Sequence, residues 1–301
     1  MEKIKSIIYS KRIPWNWKLK LLWNISLIGV EKRLGYSFKF FPKYYLIFWH
    51  YEHLVKSNGS LLRDRKHYFL AKYDLRNIGM IRLILRKEPS SDINVFYQIY
   101  MNDDFKKILC IILKYSDNQK IYNIFDAGAN IGITSIFLSK NFPLAKIISI
   151  EPDKENFKQL VENIKLNELN LVYPLRAGLW KDNSKLKIKW GFRDNKSWSI
   201  QLVEDQDFGD IDGMTVMDIM KMSNFDIIDV FKLDIEGGER FLFEDAEIAS
   251  SFIKRTRFLI IEIHDEYPIR ENIISILIGN GMEIFYQGEY VIGVNSLLDK
   301  K

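Results

Sequence analysis

The residues best suited to chemistry form a glycine turn with an acidic residue on either side. The turn reads D-A-G-A-N-I-G from Asp126 to Gly132, and Glu151 follows 19 residues after the second glycine. Glycines let the backbone turn sharply and approach a ligand, and a helix that begins at such a turn offers unpaired N–H groups. An acidic residue at this distance is suited to accept hydrogen bonds from two ribose hydroxyls.

The spacing of the turn discriminates between cofactors. A dinucleotide fingerprint has three glycines, as G-x-G-x-x-G, so that the backbone can lie against a pyrophosphate. This turn has two, as D-x-G-x-x-x-G. A carboxylate at Asp126 would repel a pyrophosphate but suits a ligand that carries a cation. S-adenosylmethionine has an ammonium, a sulfonium and a ribose without a phosphate, so it is favoured over a nicotinamide dinucleotide.

The apolar stretches around the turn predict the elements that hold it. A buried strand, a helix and a second strand ending at Glu151 make half of a nucleotide-binding βαβ unit, and an amphipathic helix and a third strand follow. In order, these are Ile121–Phe125, residues 133–140, Lys146–Ile150, Asp153–Asn167 and Leu171–Ala177.

A second group of polar residues ends two further apolar stretches. Val230–Ile235 and Phe258–His264 each fit a central strand of a parallel sheet, which should be almost wholly apolar. Open α/β sheets bind ligands at the carboxyl ends of their strands. The sequence therefore predicts a site that contains Lys232, Asp234, Glu236, Glu262 and His264.

These residues could remove the proton from a hydroxyl group that attacks a methyl donor. His264 is the only histidine in the second half of the chain, so it is the candidate general base, with Asp234 second and Glu236 beside them. Asp234, Glu236, Glu262 and His264 could instead coordinate a divalent cation such as magnesium or manganese. We favour the base over the metal.

Together, these motifs resemble those of the FkbM-type methyltransferases, S-adenosylmethionine-dependent O-methyltransferases with the Rossmann-like class I fold. The resemblance covers roughly residues 85–295, and E-G-G-E replaces the family's usual E-G-A/S-E. The stretches that carry it are FDAGANIGITS at 125–135, IEPD at 150–153, KLDIEGGE at 232–239, IEIH at 261–264 and the lead-in SSDINVFYQIY at 90–100.

The resemblance implies an α/β fold, a Rossmann-like class I methyltransferase sheet flanked by helices. It also implies a cofactor site in which Glu151 contacts the ribose. No acid follows the third strand, so we expect backbone amides and Trp180 to contact the adenine. The cofactor-binding residues so expected are Asp126, Gly128, Ala129, Asn130, Gly132, Glu151, Trp180 and Asp234.

The first part of the chain differs in charge from the rest. Residues 1–88 contain 19 Lys and Arg against 6 Asp and Glu, whereas the remaining residues contain 25 against 33. We expect two domains: a basic, aromatic-rich and mostly helical region at 1–85, and a methyltransferase domain at 86–301. Within the first, Lys18–Lys32 fits a helix with Leu21, Leu22, Ile25 and Ile28 on one side and Lys18, Lys20 and Asn24 elsewhere.

The basic region has three interpretations. We favour a lid on the catalytic domain, and the alternatives are a membrane-surface association through residues 1–50 and a contact with a polyanion. Lysines bordering tryptophans suit the membrane interface, and without a recognisable module a nucleic-acid partner is disfavoured. We expect no signal peptide in the first residues, and no apolar stretch of the sequence is long enough to span a bilayer. We therefore expect a cytoplasmic protein, at most peripheral at the inner membrane face.

Several further elements follow from local patterns. Cys110, the single cysteine, lies in an apolar run and is expected to pack in the core. The acidic stretch at 204–212 is expected to be a loop. The other expected elements are a hairpin (Tyr68–Tyr73, Met80–Leu85), a helix (Asp92–Leu113), a strand pair (Leu186–Trp190, Ser197–Val203), a helix at 269–278 and a last strand pair (Glu283–Tyr286, Tyr290–Val294).

The sequence predicts the acceptor substrate less directly than the cofactor. The resembling family acts on hydroxyls of sugars and of secondary metabolites, and a basic, tryptophan-rich region suits an acidic or lipid-linked glycan. We therefore expect a carbohydrate acceptor in surface-polysaccharide or glycolipid synthesis. The alternatives are a secondary metabolite, a nucleic acid, or a membrane-associated binding protein without catalytic activity.

Overall fold

The computed structural model describes residues 2–34, 42–87, 89–116, 120–189 and 200–298. The chain divides into two compact units, Met1–Ile93 and Asn94–Lys301.

The first unit contains three helices followed by an antiparallel sheet in the order β1-β2-β3. Its elements are α1 (Glu2–Tyr9), α2 (Trp15–Leu34), α3 (Pro42–Lys56), β1 (Gly59–Asp64), β2 (Tyr68–Leu75) and β3 (Gly79–Arg86). The predicted hairpin is present as β2 and β3. Strand β1 was not predicted, because the sequence GSLLRD does not alternate between apolar and polar residues.

Helix α2 buries a different face from the one predicted. Trp17, Lys18, Leu21 and Asn24 are buried, whereas Leu22 and Ile25 are half-buried; the side chain of residue 28 lies outside the described residues. Two polar contacts set the rotation of the helix. The indole Nε1 of Trp17 donates to Asp64 at 2.8 Å, and Lys18 Nζ donates to the carbonyl of Ile8 at 2.7 Å.

The chain passes from the first unit to the second through helical segments that differ from the single predicted helix at Asp92–Leu113. They are α4 (Asp92–Phe96), a π-helical segment (Tyr97–Met101) and α5 (Asp104–Tyr115). Asn102 is extended, and its N–H donates to the carbonyl of Tyr97, which closes the π-helical segment. The helix therefore breaks at residues 102–103.

Helix α5 also corrects the prediction for Cys110, which is exposed. The buried face of α5 carries Phe105, Ile108 and Ile112. Residues two positions apart lie on nearly opposite sides of a helix, so burial of Ile108 directs Cys110 to the surface.

The main sheet of the second unit has seven strands in the order β13-β14-β12-β11-β4-β5-β6. Strand β14 runs antiparallel to both its neighbours, and the pairs from β12 to β6 are parallel. This is a Rossmann-like α/β sheet, as expected from the sequence. The strands are β4 (Asn123–Ala127), β5 (Lys146–Ile150), β6 (Val172–Leu175), β11 (Ile228–Leu233), β12 (Thr256–Glu262), β13 (Met282–Gln287) and β14 (Tyr290–Asn295).

Helices flank this sheet, and its two central strands, β11 and β12, are buried along almost their whole length. The helices are α6 (Ile133–Asn141), α7 (Lys154–Leu166), α8 (Val216–Ser223), α9 (Glu239–Leu242), α10 (Ala246–Ile253) and α11 (Arg270–Gly279). Helix α7 is capped by Asp153, which accepts hydrogen bonds from the N–H groups of Glu155 and Asn156.

A small four-stranded sheet lies between β6 and α8 in the sequence, in the order β7-β10-β8-β9. Its strands are β7 (Gly178–Leu179), β8 (Lys185–Lys189), β9 (Gln201–Glu204) and β10 (Ile211–Met214). The predicted antiparallel pair is present as β8 and β9, although residues 190 and 197–199 lie outside the described part of the chain. The predicted loop at 204–212 is interrupted, since Ile211 and Asp212 pair with β8.

Among the described residues, no helix combines the length and apolar character needed to cross a bilayer.

Candidate active site

The three strands predicted to carry the site lie side by side. Strand β11 pairs in parallel with β4 on one side and β12 on the other, and its Lys232 lies opposite Asp126 and Ile260. The carboxyl ends of the three strands therefore meet at one edge of the sheet, where the loops that follow them form a single site.

The glycine turn after β4 requires glycine at Gly128. Its φ is +73°, and a Cβ there would lie 1.7 Å from the carbonyl oxygen of Asp234. The turn and the loop after β11 are therefore in direct backbone contact. The N–H groups of Gly128 and Ala129 both donate to the carbonyl of Ile150, so they hold the turn against β5.

Gly132 closes the turn and begins α6. Its φ is +87°, and a Cβ would lie 2.6 Å from Cδ1 of Leu160. Asn130 is also left-handed, with a φ of +49°. These conformations place the first turn of α6, with its unpaired N–H groups, directly beyond the glycine loop.

Glu151 lies where the sequence predicts, directly after β5, and it also supports the glycine turn. Its Oε2 accepts from the N–H of Asn130 at 2.8 Å, and its Oε1 accepts from the N–H of Asp153 at 3.0 Å. Burial raises the pKa of Glu151 to about 7, although the hydrogen bonds from Asp153 and Asn156 oppose this shift.

We predicted that the side chain of Asp126 faces the cofactor, but the structure places it inside the protein. Its side chain is fully buried, and its Oδ2 accepts from the hydroxyl of Ser135 at 2.5 Å. Ser135 contacts Ser149 in turn, at 2.7 Å between the two Oγ atoms. Burial raises the pKa of Asp126, and nearby Lys232 partly offsets this. Asp126 therefore supports the turn from within the protein.

Lys232 joins the glycine turn to the loop after β11. Its Nζ donates to the carbonyls of Ala127 and Gly128 at 3.2 and 3.0 Å. The same atom lies 3.1 Å from Oδ2 of Asp234 and 3.7 Å from Oδ1 of Asp126. Burial opposes the charged form, but the carboxylates of Asp234 and Asp126 outweigh it and raise the pKa of Lys232. The lysine is therefore a buried cation that organises the site.

His264 lies just beyond β12 and is fixed by Glu239, the first residue of α9. Its Nδ1 is 3.2 Å from Oε1 of Glu239, and both side chains are buried. The same carboxylate oxygen accepts from the N–H of Ile235 at 2.9 Å. Because a carboxylate accepts hydrogen bonds, Nδ1 carries the proton that faces Glu239. Nε2 then faces Glu236 at 3.5 Å and Glu262 at 3.7 Å.

The concentration of acids changes how the site holds protons. Burial alone would lower the pKa of His264, but the hydrogen bond and charge of Glu239, with Asp234 and Glu236, raise it to about 10. Burial raises the pKa of Glu262 to about 9, and the charge of Asp234 adds to the effect. Without a ligand, the protein therefore retains protons in this cluster at neutral pH. A bound cation would take the place of some of these protons.

Three of the four candidate metal ligands are close enough to share an ion. Asp234, Glu262 and His264 each offer one ligand atom, and these atoms lie within 4.8 Å of one another. Glu236, the fourth candidate, has a φ of +54°, an unfavourable conformation for a non-glycine residue. Such strain is found at functional sites, where the surrounding structure must hold it in place.

Trp180 lies in the core of the small sheet. Its indole packs with Leu186, Leu202 and Ile211, its ring centroid is 4.3 Å from that of Phe241, and its Nε1 donates to Glu204. Because these neighbours bury the ring, it has no open face for adenine. The expectation that Trp180 contacts adenine was wrong, because sequence alone does not show what packs against an aromatic ring.

The structure adds residues that the sequence did not single out. Glu239 lies inside a recognised motif without an assigned role, and Lys232 was predicted to lie at the site but was given no function. At the same edge of the sheet, Glu289 precedes β14, and its side chain contacts Gln98 of the π-helical segment. Gln98 also donates to the hydroxyl of Tyr290 at 2.9 Å. A π-helical segment is often found at a functional site.

Comparison with known proteins agrees with this geometry. Residues 126–282 match the family described as the methyltransferase FkbM domain, which is more than half of the chain. The chain belongs to the FkbM methyltransferase family. Among characterised relatives, methyltransferase sdnD from Sordaria araneosa is 24% identical over 192 residues, which cover 54% of this chain and 73% of that protein.

Solved structures similar to this FkbM methyltransferase are distant in sequence. The N-terminal domain of human METTL16 is 13% identical with a TM-score of 0.43, and the similarity covers 86% of this chain and 82% of that one. Magnesium protoporphyrin IX methyltransferase from Synechocystis PCC 6803, with bound S-adenosylmethionine, is 15% identical with a TM-score of 0.38, covering 68% and 82%.

The cofactor of this FkbM methyltransferase is S-adenosylmethionine. The acidic cluster beyond β11 and β12 fits this cofactor, because its carboxylates suit a ligand with a sulfonium and an ammonium group.

Proposed function

We propose that this protein is an O-methyltransferase that acts on a hydroxyl group of a sugar or glycan. The observation that carries the proposal is the buried Glu239–His264 pair, whose imidazole Nε2 faces the acidic strand ends beside the glycine turn. A neutral alcohol is a weak nucleophile, so a transferase that uses one needs a positioned proton acceptor.

The cofactor would be held by the edge formed by β4, β5 and β11. Asn130 and Gly132 would border it, Glu151 would accept from its ribose hydroxyls, and Asp234 would face its cationic end. Gly128 and Ala129 would form the floor of this site, and Asp126 would support it through Lys232. When bound, S-adenosylmethionine supplies a methyl group activated by a sulfonium.

His264 is the proposed base, and Glu239 positions it. The Nδ1 hydrogen bond to Glu239 fixes the ring and stabilises the positive charge that forms when Nε2 takes a proton. Asp234 is the second candidate base, and Glu236 and Glu262 lie 3.5 and 3.7 Å from Nε2. Because this arrangement contains a proton acceptor in His264 and a buried cation in Lys232, the proposed reaction needs no metal ion.

The rim of the site offers groups that suit a polyhydroxylated acceptor. A Cβ at Gly237 would lie 2.8 Å from the ring of Tyr267, so this aromatic residue borders the loop after β11. The hydroxyl of Tyr267 accepts from Gln201 at 2.6 Å, and Arg240 lies over its ring at 3.8 Å. An aromatic ring with amide and guanidinium donors is a typical polar lining for a ligand with several hydroxyls.

The basic first unit supports an acceptor with an acidic or lipid-linked character. Its excess of Lys and Arg would attract such a substrate. We propose that the enzyme works in the cytoplasm, at the inner face of the membrane, in the synthesis of a surface polysaccharide or glycolipid.

Tritiated methyl transfer tests the proposed acceptor. The protein would be incubated with labelled S-adenosylmethionine and with nucleotide sugars, lipid-linked glycans, polysaccharide extracts, small hydroxylated metabolites and RNA. We expect label in a carbohydrate fraction, and none from a His264→Asn variant. Label confined to the metabolite or RNA fraction would overturn the carbohydrate assignment.

A further inference from the structure

The first unit presents an apolar face that its own fold leaves exposed. Trp15, Leu19 and Trp23 are four residues apart along α2, so they form one stripe, and each is 63–64% exposed. The opposite face of the same helix packs inward through Trp17 and Leu21. Among the tryptophans that the structure describes, Trp15 and Trp23 are the ones with a large exposed area.

Cations border this stripe. Lys20 is exposed and lies three residues before Trp23, on a neighbouring position of the helix surface. Lys18 Nζ lies 4.6 Å from the Trp15 ring centroid and also donates to the carbonyl of Ile8. Trp15 is therefore held beside the end of α1, with positive charge next to it.

A cavity of about 420 Å³ lies at the same turn between α1 and α2. Its lining includes Ser6, Ser10, Lys11, Arg12 and Ser60. The Arg12 guanidinium is held by neutral acceptors, the carbonyl of Gly59 at 3.1 Å and Oδ1 of Asn58 at 2.8 Å. Within the described ranges of the chain, no carboxylate forms an ion pair with Arg12 or Lys11. Hydroxyls and two uncompensated cations suit a phosphate group.

We propose that the first unit docks on an anionic lipid bilayer through the Trp15–Leu19–Trp23 stripe, with the Lys11–Arg12 cavity receiving a lipid phosphate. Tryptophan favours the headgroup level of a bilayer, where its ring is partly in the apolar layer and its N–H meets water. Lysine and arginine beside it are attracted to anionic lipid. This partner deepens the proposed function, because it would bring the enzyme to a lipid-linked acceptor.

Vesicle flotation of the full-length protein tests the docking without cofactor or acceptor. The vesicles are phosphatidylcholine alone, or phosphatidylcholine with about one-third phosphatidylglycerol. We expect at least tenfold stronger binding to the anionic vesicles at low salt and loss of that preference at about 1 M salt. Equal binding to both kinds of vesicle, or no binding to either, would overturn the proposal.

Substitutions test how much individual residues of the first unit contribute to vesicle binding. Trp15→Ser combined with Trp23→Ser should weaken binding about tenfold or more, and Lys20→Gln or Lys11→Gln about fivefold each. Phe208→Ser is the matched control, since Phe208 is 84% exposed on a loop of the second unit, and it should bind like the wild type. Thermal melts establish that each variant is folded.

Two further outcomes would contradict docking on a bilayer through this stripe. If the double variant binds vesicles like the wild type, the stripe is not the docking surface. If instead it converts a dimer to a monomer and the wild type ignores vesicles, the occupant is a second copy of the chain. Calorimetric binding of S-adenosylmethionine should be equal in the wild type and the double variant, so a failure of docking is distinguishable from a failure of the catalytic unit.

Discussion

The Nδ1 atom of His264 lies 3.2 Å from Oε1 of Glu239, and protein encloses both side chains. His264 lies just beyond β12, and Glu239 is the first residue of α9. The pairing links the loops after β11 and β12, and it fixes which imidazole nitrogen faces the strand ends.

Replacing Glu239 with Gln should reduce the rate far more than cofactor binding. The amide keeps the size of the side chain but removes the charge that stabilises an imidazolium at His264. We expect kcat to fall by about 10- to 100-fold, with the KM for S-adenosylmethionine within about threefold of the wild type. Steady-state kinetics measure both. A matched loss of cofactor affinity would instead indicate that Glu239 only holds the fold.

The rate of methyl transfer should rise with pH above neutrality. The carboxylates around His264 raise its pKa to about 10 in the protein alone, and a bound sulfonium would lower it from there. The imidazole is therefore freed for proton acceptance as the pH increases from about 7 to 9. The His264→Asn variant should lose most of its activity, and its remaining rate should not increase with pH. A wild-type rate that falls over the same range would contradict the base assignment.

The cofactor-free protein should lose stability as the pH rises from 6.5 towards 10. His264 has a raised pKa in the folded state, so the native protein keeps a proton that the unfolded chain has released above pH 6.5. Each such proton lowers the free energy of unfolding by about 1.4 kcal/mol per pH unit. Burial acts in the same direction on Glu262, whose pKa is raised to about 9. Urea unfolding at several pH values measures the slope, which should be smaller in His264→Asn. Equal slopes for the two proteins would count against the charged pair.

Lys232→Met should be strongly destabilising. The substitution leaves the carboxylates of Asp126 and Asp234 without their buried cation, at a cost of about 3–5 kcal/mol. Lys185→Met is the matched control, because the ion pair between Lys185 and Asp212 is exposed and should contribute no more than about 1 kcal/mol. Chemical denaturation compares them, and similar losses in both variants would disprove the organising role of Lys232.

Removal of divalent cations should leave methyl transfer unchanged. The proposed base, His264, accepts the proton, and the buried cation of Lys232 balances the carboxylates of Asp126 and Asp234 without a metal. Activity would be measured after dialysis against excess EDTA. A loss that magnesium or manganese restores would instead assign Asp234, Glu262 and His264 as metal ligands.

Much of the sheet was predictable because its strands are buried on both faces. Lys146–Ile150 was placed correctly to the residue, and β11 and β12 differ from prediction by about two residues at each end. Continuous apolar stretches that end in charged residues identify both the strands and the edge where ligands bind.

The details of the site depended on contacts that a local pattern does not contain. Asp126 was expected to face the cofactor, but Ser135 and Lys232 hold it inside the protein. Trp180 was expected at the adenine, but the small sheet buries it. In both cases the side chain was identified, and its direction was set by residues far away in the sequence.

Calorimetric titration of S-adenosylmethionine into the wild type, Asp234→Asn and Asp265→Asn tests the central claim most directly, namely that the cofactor lies over the ends of β4, β5 and β11. Asp265 is an exposed residue just beyond β12, paired with Arg270, and serves as the control. We predict that Asp234→Asn weakens binding at least tenfold, whereas Asp265→Asn binds like the wild type. Equal affinity in all three proteins would contradict the proposed site.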